Sequence, residues 1–271
     1  MPLEKLAKTV FDPHVLSSQF LERDVKIDFY FPPAMPAGSD ELSLLLINDG
    51  QDLRTMDFAA ILDELYEENE ITPLLCVGIH CGPDRRNEYG TANIPDYKGR
   101  GAKAALYTRF VFEELLPFIR SEHHILSFKE KSFCGFSLGG LTALDIVWNH
   151  PEEFLKVGVF SGSLWWRTVS QDDDNFVEED HRIMHNEIKA GQFYPWLKFF
   201  FETGTLDETA DRNNNGIIDS IDDTLSLVGE LVKKGYRPET DIRYVELKNG
   251  HHDVATWAMA FPDFLKWGWG K

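Results

Sequence analysis

Short strand-like segments alternate along this chain with longer segments that have the apolar spacing of a helix. Segments with the character of buried strands occupy residues 42–47, 74–79, 131–136, 154–160 and 196–202. Helical periodicity occupies residues 54–68, 103–121, 138–149, 222–235 and 254–267. Strands that are apolar at nearly every position are typical of parallel sheets covered on both faces by helices. The alternation therefore predicts an α/β fold with a mostly parallel central sheet and helices on both faces.

Three segments refine this prediction. Residues 25–31 alternate between apolar and polar side chains and stop at two prolines, which favours an early antiparallel strand, and residues 241–247 alternate as a late strand. Residues 164–195 are irregular, acidic and aromatic, and they are too few to build a core of their own. We predict that they form an excursion over the sheet and that residues 1–271 make up a single domain.

The charge balance excludes two classes of partner. The chain has 271 residues, with 27 Lys and Arg against 45 Asp and Glu, and a formal net charge of −18. Nucleic acids and anionic membrane surfaces both attract positive protein surfaces, so we expect neither as a partner. No stretch of eighteen apolar residues is present, which argues against a membrane span.

The N-terminus and the cysteines bear on location. Residues 1–8 mix acidic and basic side chains, and no long apolar segment follows them, so no signal peptide is predicted. Cys76, Cys81 and Cys134 are too few, and odd in number, for a disulfide framework. We expect reduced thiols in a cytoplasmic protein.

Residues 135–139 carry the pattern G-x-S-x-G around Ser137, between a predicted strand and a predicted helix. A serine on a sharp strand-to-helix turn sits in strained backbone geometry, so its neighbours two positions away must lack side chains. Such a turn exposes the hydroxyl and directs the new helix N-terminus at a substrate oxyanion. The motif predicts a nucleophilic serine, and the alternative is a glycine-rich turn that binds nothing.

A serine nucleophile needs a base and a carboxylate that orients the base. The chain order of such groups in α/β-hydrolases is serine, acid, histidine. His251 and His252 directly follow the last predicted strand, and the sequence order leaves both open as the base. Asp207 and Glu208 follow the preceding strand and are both candidates for the acid.

Four segments together resemble a known family: residues 135–140, 161–166, 204–207 and 250–257. They are similar to the Putative esterase family of α/β-hydrolases, which includes esterase D-like enzymes, enterochelin esterases, and feruloyl and acetyl-xylan esterases. The resemblance extends over about residues 20–267 and implies an α/β-hydrolase fold. It also implies hydrolysis of carboxylic esters through a serine, an acyl-enzyme and a Ser-His-Asp triad.

The resemblance also selects individual residues. Family members often read G-G-H-D-x-x-x-W, and the position five residues before Trp257 selects His252 as the base, with His251 in place of the second glycine. The family's G-x-x-D pattern selects Asp207 over Glu208. The oxyanion donors it implies are the backbone amides of Leu138 and Gln51.

Three further side chains are candidates for substrate binding. Trp165 and Trp166 fall where the family places residues near the site, and packing beneath the excursion is the alternative for both. Arg86 could bind a charged substrate, and a loop ion pair is the alternative.

Residues 211–222 read D-x-N-x-N-G-x-x-D-x-x-D, which matches the calcium loop of EF-hand proteins at six positions. The ligands predicted for Ca²⁺ are Asp211, Asn213, Asn215, the Ile217 carbonyl, Asp219 and Asp222. Aspartate in place of glutamate at position 12 is similar to dockerin-type loops. An Asn- and Gly-rich linker with helix-capping aspartates is the alternative. The loop begins four residues after Asp207, so bound calcium could order the segment that carries the acid.

The interpretation that unites these features is a serine esterase whose substrate is a small-molecule or carbohydrate ester, such as an acetyl or feruloyl sugar ester. The alternatives are a siderophore esterase of the enterochelin type, a non-catalytic binding protein with the same fold, and a calcium-dependent interaction protein. Sequence alone leaves the oligomeric state open.

Overall fold

The computed structural model describes residues 8–36, 38, 41–238 and 240–271. Most of the N-terminal segment on which the absence of a signal peptide was predicted, residues 1–7, lies outside them. The described residues form an eight-stranded sheet in the order β1-β2-β4-β3-β5-β6-β7-β8. The strands are β1 (Val10–Ser18), β2 (Arg23–Phe31), β3 (Ser43–Asn48), β4 (Leu74–Ile79), β5 (Lys131–Phe136), β6 (Lys156–Phe160), β7 (Lys198–Leu206) and β8 (Ile242–His251).

Helices cover both faces of the sheet. They are α1 (Phe58–Glu67), α2 (Arg85–Glu88), α3 (Ala104–Arg109), α4 (Leu116–Glu122), α5 (Leu138–Asn149), α6 (Glu178–His181), α7 (Ile183–Ala190), α8 (Asp219–Lys234) and α9 (Val254–Trp269). A π-helical turn joins α3 to α4, and a short 3₁₀ helix follows β3.

The strand pairing agrees with the fold class that the sequence predicts. β1 and β2 are antiparallel, β2 is antiparallel to β4, and every pairing from β4 through β8 is parallel. The carboxyl ends of β3 to β8 therefore lie at one edge of the sheet, where ligand sites of open α/β sheets occur. The loops that carry the candidate catalytic residues leave this edge.

β3 shows why a strand of this fold is apolar on both sides. Leu44 and Leu46 pack into a core with residues of α3, α5 and α7. Leu45 and Ile47 point the other way, into a core with residues of α1 and α9. Successive side chains of a strand alternate between faces, so both sets are buried only because helices cover both faces.

The strand β1 was not anticipated from the sequence. It is one of the two edge strands of the sheet and pairs only with β2. Its Val10 and Val15 side chains are more than half exposed, so its apolar residues do not mark a buried face. The antiparallel strand predicted over residues 25–31 is confirmed as β2.

The excursion over residues 164–195 is more ordered than expected, because it contains α6 and α7. Ile183, Met184 and Ile188 of α7 are buried in the same core as β3. The helix is therefore part of the main packing. No helix in the described ranges is both long and apolar enough to cross a membrane. The three cysteines are free thiols, and the cytoplasmic location stays a prediction.

Candidate active site

The turn between β5 and α5 has the geometry that the glycine pattern predicts. Ser137 adopts φ 54° and ψ −121°, a strained conformation for a residue with a side chain. A Cβ atom on Gly135 would lie 2.5 Å from the Gly139 carbonyl oxygen, so this position tolerates only glycine. The Ser137 amide donates to the Phe160 carbonyl at 2.8 Å, which ties the turn to β6. These features hold the serine hydroxyl at the edge of the sheet.

Ser137, Asp207 and His252 line the same cavity, whose volume is about 180 Å³. They come from the carboxyl ends of β5, β7 and β8, which places side chains distant in sequence around one space. Ser137 Oγ lies 3.4 Å from Ser163 Oγ, on the loop after β6. Among the described residues no hydrogen bond joins His252 to either partner, and catalytic hydrogen bonds of unliganded enzymes often form only with substrate.

His252 packs edge-on against Trp257, with ring centroids 5.4 Å apart and planes at 80°. This contact explains the spacing of five residues between the two side chains, because Trp257 lies in the first turn of α9. His251 is exposed and its backbone amide donates to Thr256 Oγ1 at 2.8 Å. Of the two histidines, His252 lines the cavity.

Burial shifts the pKa of both partners of the candidate acid–base pair. Burial lowers the pKa of His252, against the raising effect of the Asp207 charge. Burial raises the pKa of Asp207, and the charge of His252 acts in the opposite direction. Both Asp207 carboxylate oxygens are buried without a hydrogen-bond partner in the described part of the chain. A neutral imidazole facing an unsatisfied carboxylate is the arrangement that a general base requires.

Glu202 is a second acidic side chain at this end of β7, and sequence reasoning missed it. It is fully buried, and Ser161 Oγ donates to its Oε2 at 3.5 Å. Trp257 Nε1 donates to Ser161 Oγ at 3.0 Å. Burial, together with the Asp207 charge, raises the pKa of Glu202 to about 8. The signal available in the sequence was an acidic residue that continues an otherwise apolar strand.

The candidate oxyanion donors lie on two neighbouring turns. The Leu138 amide is the first N–H group of α5, and such groups have no acceptor within their own helix. Gln51 lies in the 3₁₀ helix Gly50–Leu53, and its side-chain oxygen accepts from the Cys81 amide at 3.1 Å. Asp49, which precedes this helix, adopts a left-handed backbone conformation. The turn after β3 is therefore fixed by both backbone and side-chain contacts.

Arg85 contacts the turn that carries the nucleophile, whereas the sequence pattern favoured Arg86. Arg85 donates to both carboxylate oxygens of Asp49 at 2.7 Å and to the Phe136 carbonyl at 3.3 Å. Its charge also opposes protonation of His252 and so contributes to the lowered pKa of that imidazole. Arg86 is exposed and is not among the residues that line the cavity. Its role in substrate binding stays a prediction.

The two adjacent tryptophans have different environments. Trp165 lines the catalytic cavity and also a neighbouring cavity of about 290 Å³. Trp166 is fully buried, and its Nε1 donates to the Ile94 carbonyl at 3.4 Å. A Cβ atom on Gly90 would lie 2.8 Å from the Trp166 ring. Trp166 is therefore a packing residue, and its selection for substrate binding is wrong because it has no exposed surface.

The loop over residues 211–222 folds around its first aspartate. Asp211 accepts from the amides of Asn215 and Gly216 at 3.1 and 2.9 Å. Gly216 has φ 85°, the conformation expected of the glycine at position 6. Asn215 Oδ1 accepts from the Ile217 amide at 2.8 Å, and Asn213 Nδ2 donates to Asp222 Oδ2 at 2.8 Å. The carboxylate and amide oxygens of four side chains are therefore gathered in one loop, a donor set suited to calcium.

Asp219 departs from this arrangement. Its Oδ1 accepts from the Arg212 amide at 2.8 Å and lies 3.2 Å from the Arg212 guanidinium. Among the described residues, Asp211, Asp219 and Asp222 do not form a group with carboxylate oxygens within 4.8 Å of one another. Asp219 is therefore engaged by Arg212, and calcium binding by this loop stays a prediction.

These features define the class of protein. A mostly parallel sheet with helices on both faces and a serine at the sharp turn after β5 constitutes an α/β-hydrolase fold. The chain belongs to the esterase family described as "Putative esterase", whose model matches residues 18–267. No curated protein matches the chain.

Solved structures with the same fold include several esterases. The enterobactin esterase from Shigella flexneri, crystallised in the presence of enterobactin, is 21% identical with a TM-score of 0.70. That alignment covers 95% of this chain and 58% of the other, so this chain spans little more than half the length of that enzyme. A ferulic acid esterase is 14% identical (TM-score 0.65; coverage 96% and 97%). The siderophore hydrolase EstB from Aspergillus nidulans is 18% identical (TM-score 0.65; coverage 98% and 97%).

Proposed function

We propose that this protein is a serine carboxylic-ester hydrolase that acts through Ser137, His252 and Asp207. The observation that carries the proposal is the meeting of these three side chains around one cavity, from three separate strand ends. The serine lies on a strained turn, the pKa of the imidazole is lowered, and the carboxylate oxygens have no hydrogen-bond partner among the described residues. Membership of an esterase family supports the same reaction.

The reaction follows from the roles of these groups. His252 removes the proton of the Ser137 hydroxyl as Oγ attacks the ester carbonyl carbon. The amides of Leu138 and Gln51 donate to the oxyanion of the tetrahedral intermediate. The intermediate expels the alcohol, which His252 protonates, and an acyl-enzyme remains. His252 then deprotonates a water molecule that attacks the acyl carbonyl, and Ser137 is regenerated. Asp207 accepts the other imidazole N–H and stabilises the imidazolium throughout.

We infer that the natural substrate is an acyl ester of a carbohydrate. The cavity that adjoins the catalytic one offers two aromatic side chains, Tyr97 and Trp165, on which an apolar sugar face can stack. Gln171 and Asp172 line the same space and can bond hydroxyl groups. A ferulic acid esterase is among the proteins with a similar fold. A few polar groups placed among aromatic surfaces are what orients a small ligand.

A siderophore ester is the second candidate, and one observation favours it. Arg100 and Arg167 line the cavity beside Trp165, and the Arg100 guanidinium lies 4.8 Å from the centroid of that ring. Cations over aromatic rings suit anionic catecholate groups. The net charge of −18 opposes the approach of such a ligand. Enterobactin esterases nevertheless have a similar fold.

The test is hydrolysis by the wild type and by Ser137→Ala, with Ser121→Ala, an exposed serine on α4, as the matched control. A p-nitrophenyl acetate assay measures the basic activity, and acetylated or feruloylated xylo-oligosaccharides are then compared with a catecholate trilactone. We expect loss of at least about 10³-fold in kcat for Ser137→Ala and a small change for the control. Equal activity of wild type and Ser137→Ala would refute the nucleophile, and inertness of both on all esters would support the non-catalytic binding protein.

We further propose that the loop over residues 211–222 binds one calcium ion, which orders the segment between Asp207 and α8. Oxygen ligands from Asp211, Asn213, Asn215 and Asp222, with the Ile217 carbonyl, would hold the ion. Melting temperature is measured with calcium and with EGTA, for wild type and Asp211→Ala. Calcium should raise the melting temperature of the wild type and leave that of Asp211→Ala unchanged. Identical curves for the wild type in both buffers would exclude the site.

A further inference from the structure

A cluster of metal-ligating side chains lies on the edge strand, separate from the catalytic cavity. Asp12 and His14 are two residues apart on β1, so both side chains project from the same face of that strand. His123 directly follows α4 and lies against the same face. One ligand atom from each of the three side chains lies within 4.8 Å of the other two. Among the described residues, no other group of three His, Cys, Asp or Glu side chains meets this condition.

The distances within the cluster are close to those of a coordination sphere. His14 Nε2 lies 2.9 Å from Asp12 Oδ2. The rings of His14 and His123 are 5.5 Å apart and nearly perpendicular, at 80°. Tetrahedral zinc with ligands at about 2.1 Å separates its donor atoms by about 3.4 Å. Small side-chain rotations would therefore bring all three donors to one ion.

A carboxylate lies near the ring nitrogen of His14 that points away from Asp12. Glu122 Oε1 lies 3.7 Å from His14 Nδ1, the ring nitrogen that does not face Asp12. Metal-bound histidines usually donate their second ring N–H to a carboxylate or carbonyl, which fixes the tautomer and the ring orientation. Glu122 is placed to do this for His14, so that Nε2 would be free to bind a metal.

The environment of His123 is an independent observation. Its ring packs against Phe29 and Phe31, with centroids 4.4 and 4.7 Å away. Its Nε2 atom is buried and has no hydrogen-bond partner in the described part of the chain. Buried polar atoms without partners are rare and call for an explanation such as an ion. An apolar wall on one side also limits solvent access to a metal centre.

We propose that Asp12, His14 and His123 form a structural site for a divalent transition-metal ion of the zinc type. Two imidazoles and one carboxylate suit Zn²⁺ or Ni²⁺ better than Ca²⁺ or Mg²⁺, which prefer oxygen ligands alone. A water molecule can supply the fourth ligand. The ion would connect the edge strand β1 to the end of α4, which lie far apart in the sequence. It would thus fasten a strand that pairs on one side only.

The experiment titrates the full chain, freed of metal by a chelator, with ZnCl2 in saturating calcium. Calcium fills any oxygen-only site, so the measured heat or the absorption of substituted Co²⁺ reports the imidazole site. We expect one ion per chain with micromolar affinity or better. At a hundredfold excess over Kd, the melting temperature should rise by about 5 °C. Asp12→Asn and His14→Gln should each weaken binding by at least about tenfold.

The matched control is His124→Gln, because that exposed residue adjoins the cluster without belonging to it. Its zinc affinity should equal that of the wild type. Circular dichroism verifies that each variant is folded. Asp12→Asn should disturb the packing least, because the Asp12 side chain is 44% exposed. The proposal is overturned if no ion binds in the micromolar range, if both variants bind as the wild type does, or if His252→Gln abolishes binding instead.

Discussion

Two groups of buried acidic side chains lie on neighbouring segments of this protein, and their partners differ. At the end of β7, Glu202 and Asp207 are surrounded by apolar and hydroxyl groups. At the start of α8, Asp219 and Asp223 are buried and are paired with the Arg212 guanidinium. The same type of residue therefore has a cationic partner in one place and none in the other.

The difference in partners distinguishes an acidic group that stabilises the fold from one that is placed for catalysis. The acidic side chains near Arg212 form a network in which each carboxylate has a cationic partner, and such networks stabilise a single arrangement. Those at the end of β7 are held near a histidine and a serine, with carboxylate oxygens left without partners. Groups with shifted pKa values and free hydrogen-bonding capacity in a cavity are typical of active sites. The loop that joins the two groups is the one proposed to bind calcium.

The largest effect is expected from Asp207→Asn, which removes the charge that His252 faces. Loss of the orienting carboxylate should lower kcat by about 10³–10⁴-fold while the fold is kept. The Asp207 charge raises the pKa of His252, so its removal should also move the acid limb of the rate profile to lower pH. Steady-state kinetics on p-nitrophenyl acetate between pH 5 and pH 9 measure both effects.

Glu208→Gln is the matched control for that experiment. Glu208 adjoins Asp207 in the sequence, and the residue pattern alone left it open as the acid. Glu208 lines the catalytic cavity but its side chain is exposed, so the loss of kcat in Glu208→Gln should be far smaller than the loss in Asp207→Asn. A loss in Glu208→Gln that equals the loss in Asp207→Asn would mean that the acid has been assigned to the wrong residue.

The next largest effect is a loss of stability when Arg212, the cationic partner of Asp219 and Asp223, is replaced. Arg212→Met leaves Asp219 and Asp223 buried without the guanidinium, which lies 2.6 Å from Asp223 Oδ1. Breaking a buried pair in this way costs about 3–5 kcal/mol in the free energy of unfolding. The melting temperature should fall by about 10 °C. Activity of the folded protein at 20 °C should be retained, because Arg212 does not line the catalytic cavity.

Thermal denaturation of Arg109→Met is the control for Arg212→Met, because both side chains of the Arg109–Glu113 pair are exposed. Such pairs contribute little, so its melting temperature should change by no more than a few degrees. If Arg212→Met melts like this control, the network at α8 does not stabilise the fold and the contrast between the two acidic groups fails.

The sequence predicted the parts of this molecule that depend on local pattern. The turn at Ser137, the chain order of the three candidate catalytic residues and the mostly parallel sheet all follow from spacing and strand character. The burial of Glu202 could not be predicted in this way, because it depends on Ser161 and Trp257, which are distant in the sequence. Long-range packing decides how such a carboxyl is solvated.

Neighbouring residues of one type posed a related difficulty. Trp165 and Trp166 differ by one position, and only the backbone direction beneath the excursion decides which ring reaches the cavity. Arg85 and Arg86 differ in the same way on α2. The strand β1 was missed because its exposed valines give no apolar face that a pattern could reveal.

The smallest expected effect is the pH dependence of the melting temperature in a variant of Glu202. The pKa of Glu202 is about 8 in the folded protein, above the ordinary 4.5, so the folded state binds this proton more tightly than the unfolded state does. The stabilisation from that proton is fully present below pH 4.5 and is lost as the pH rises through 8. Glu202→Gln keeps a neutral side chain at every pH, so it should melt like the wild type at pH 5 and a few degrees higher at pH 9.

Melting curves across this range, with Glu246→Gln as an exposed control, measure the difference. A constant offset between Glu202→Gln and the wild type would show that Glu202 is not protonated in the folded protein, and the two acidic groups would then differ in their partners but not in their charge.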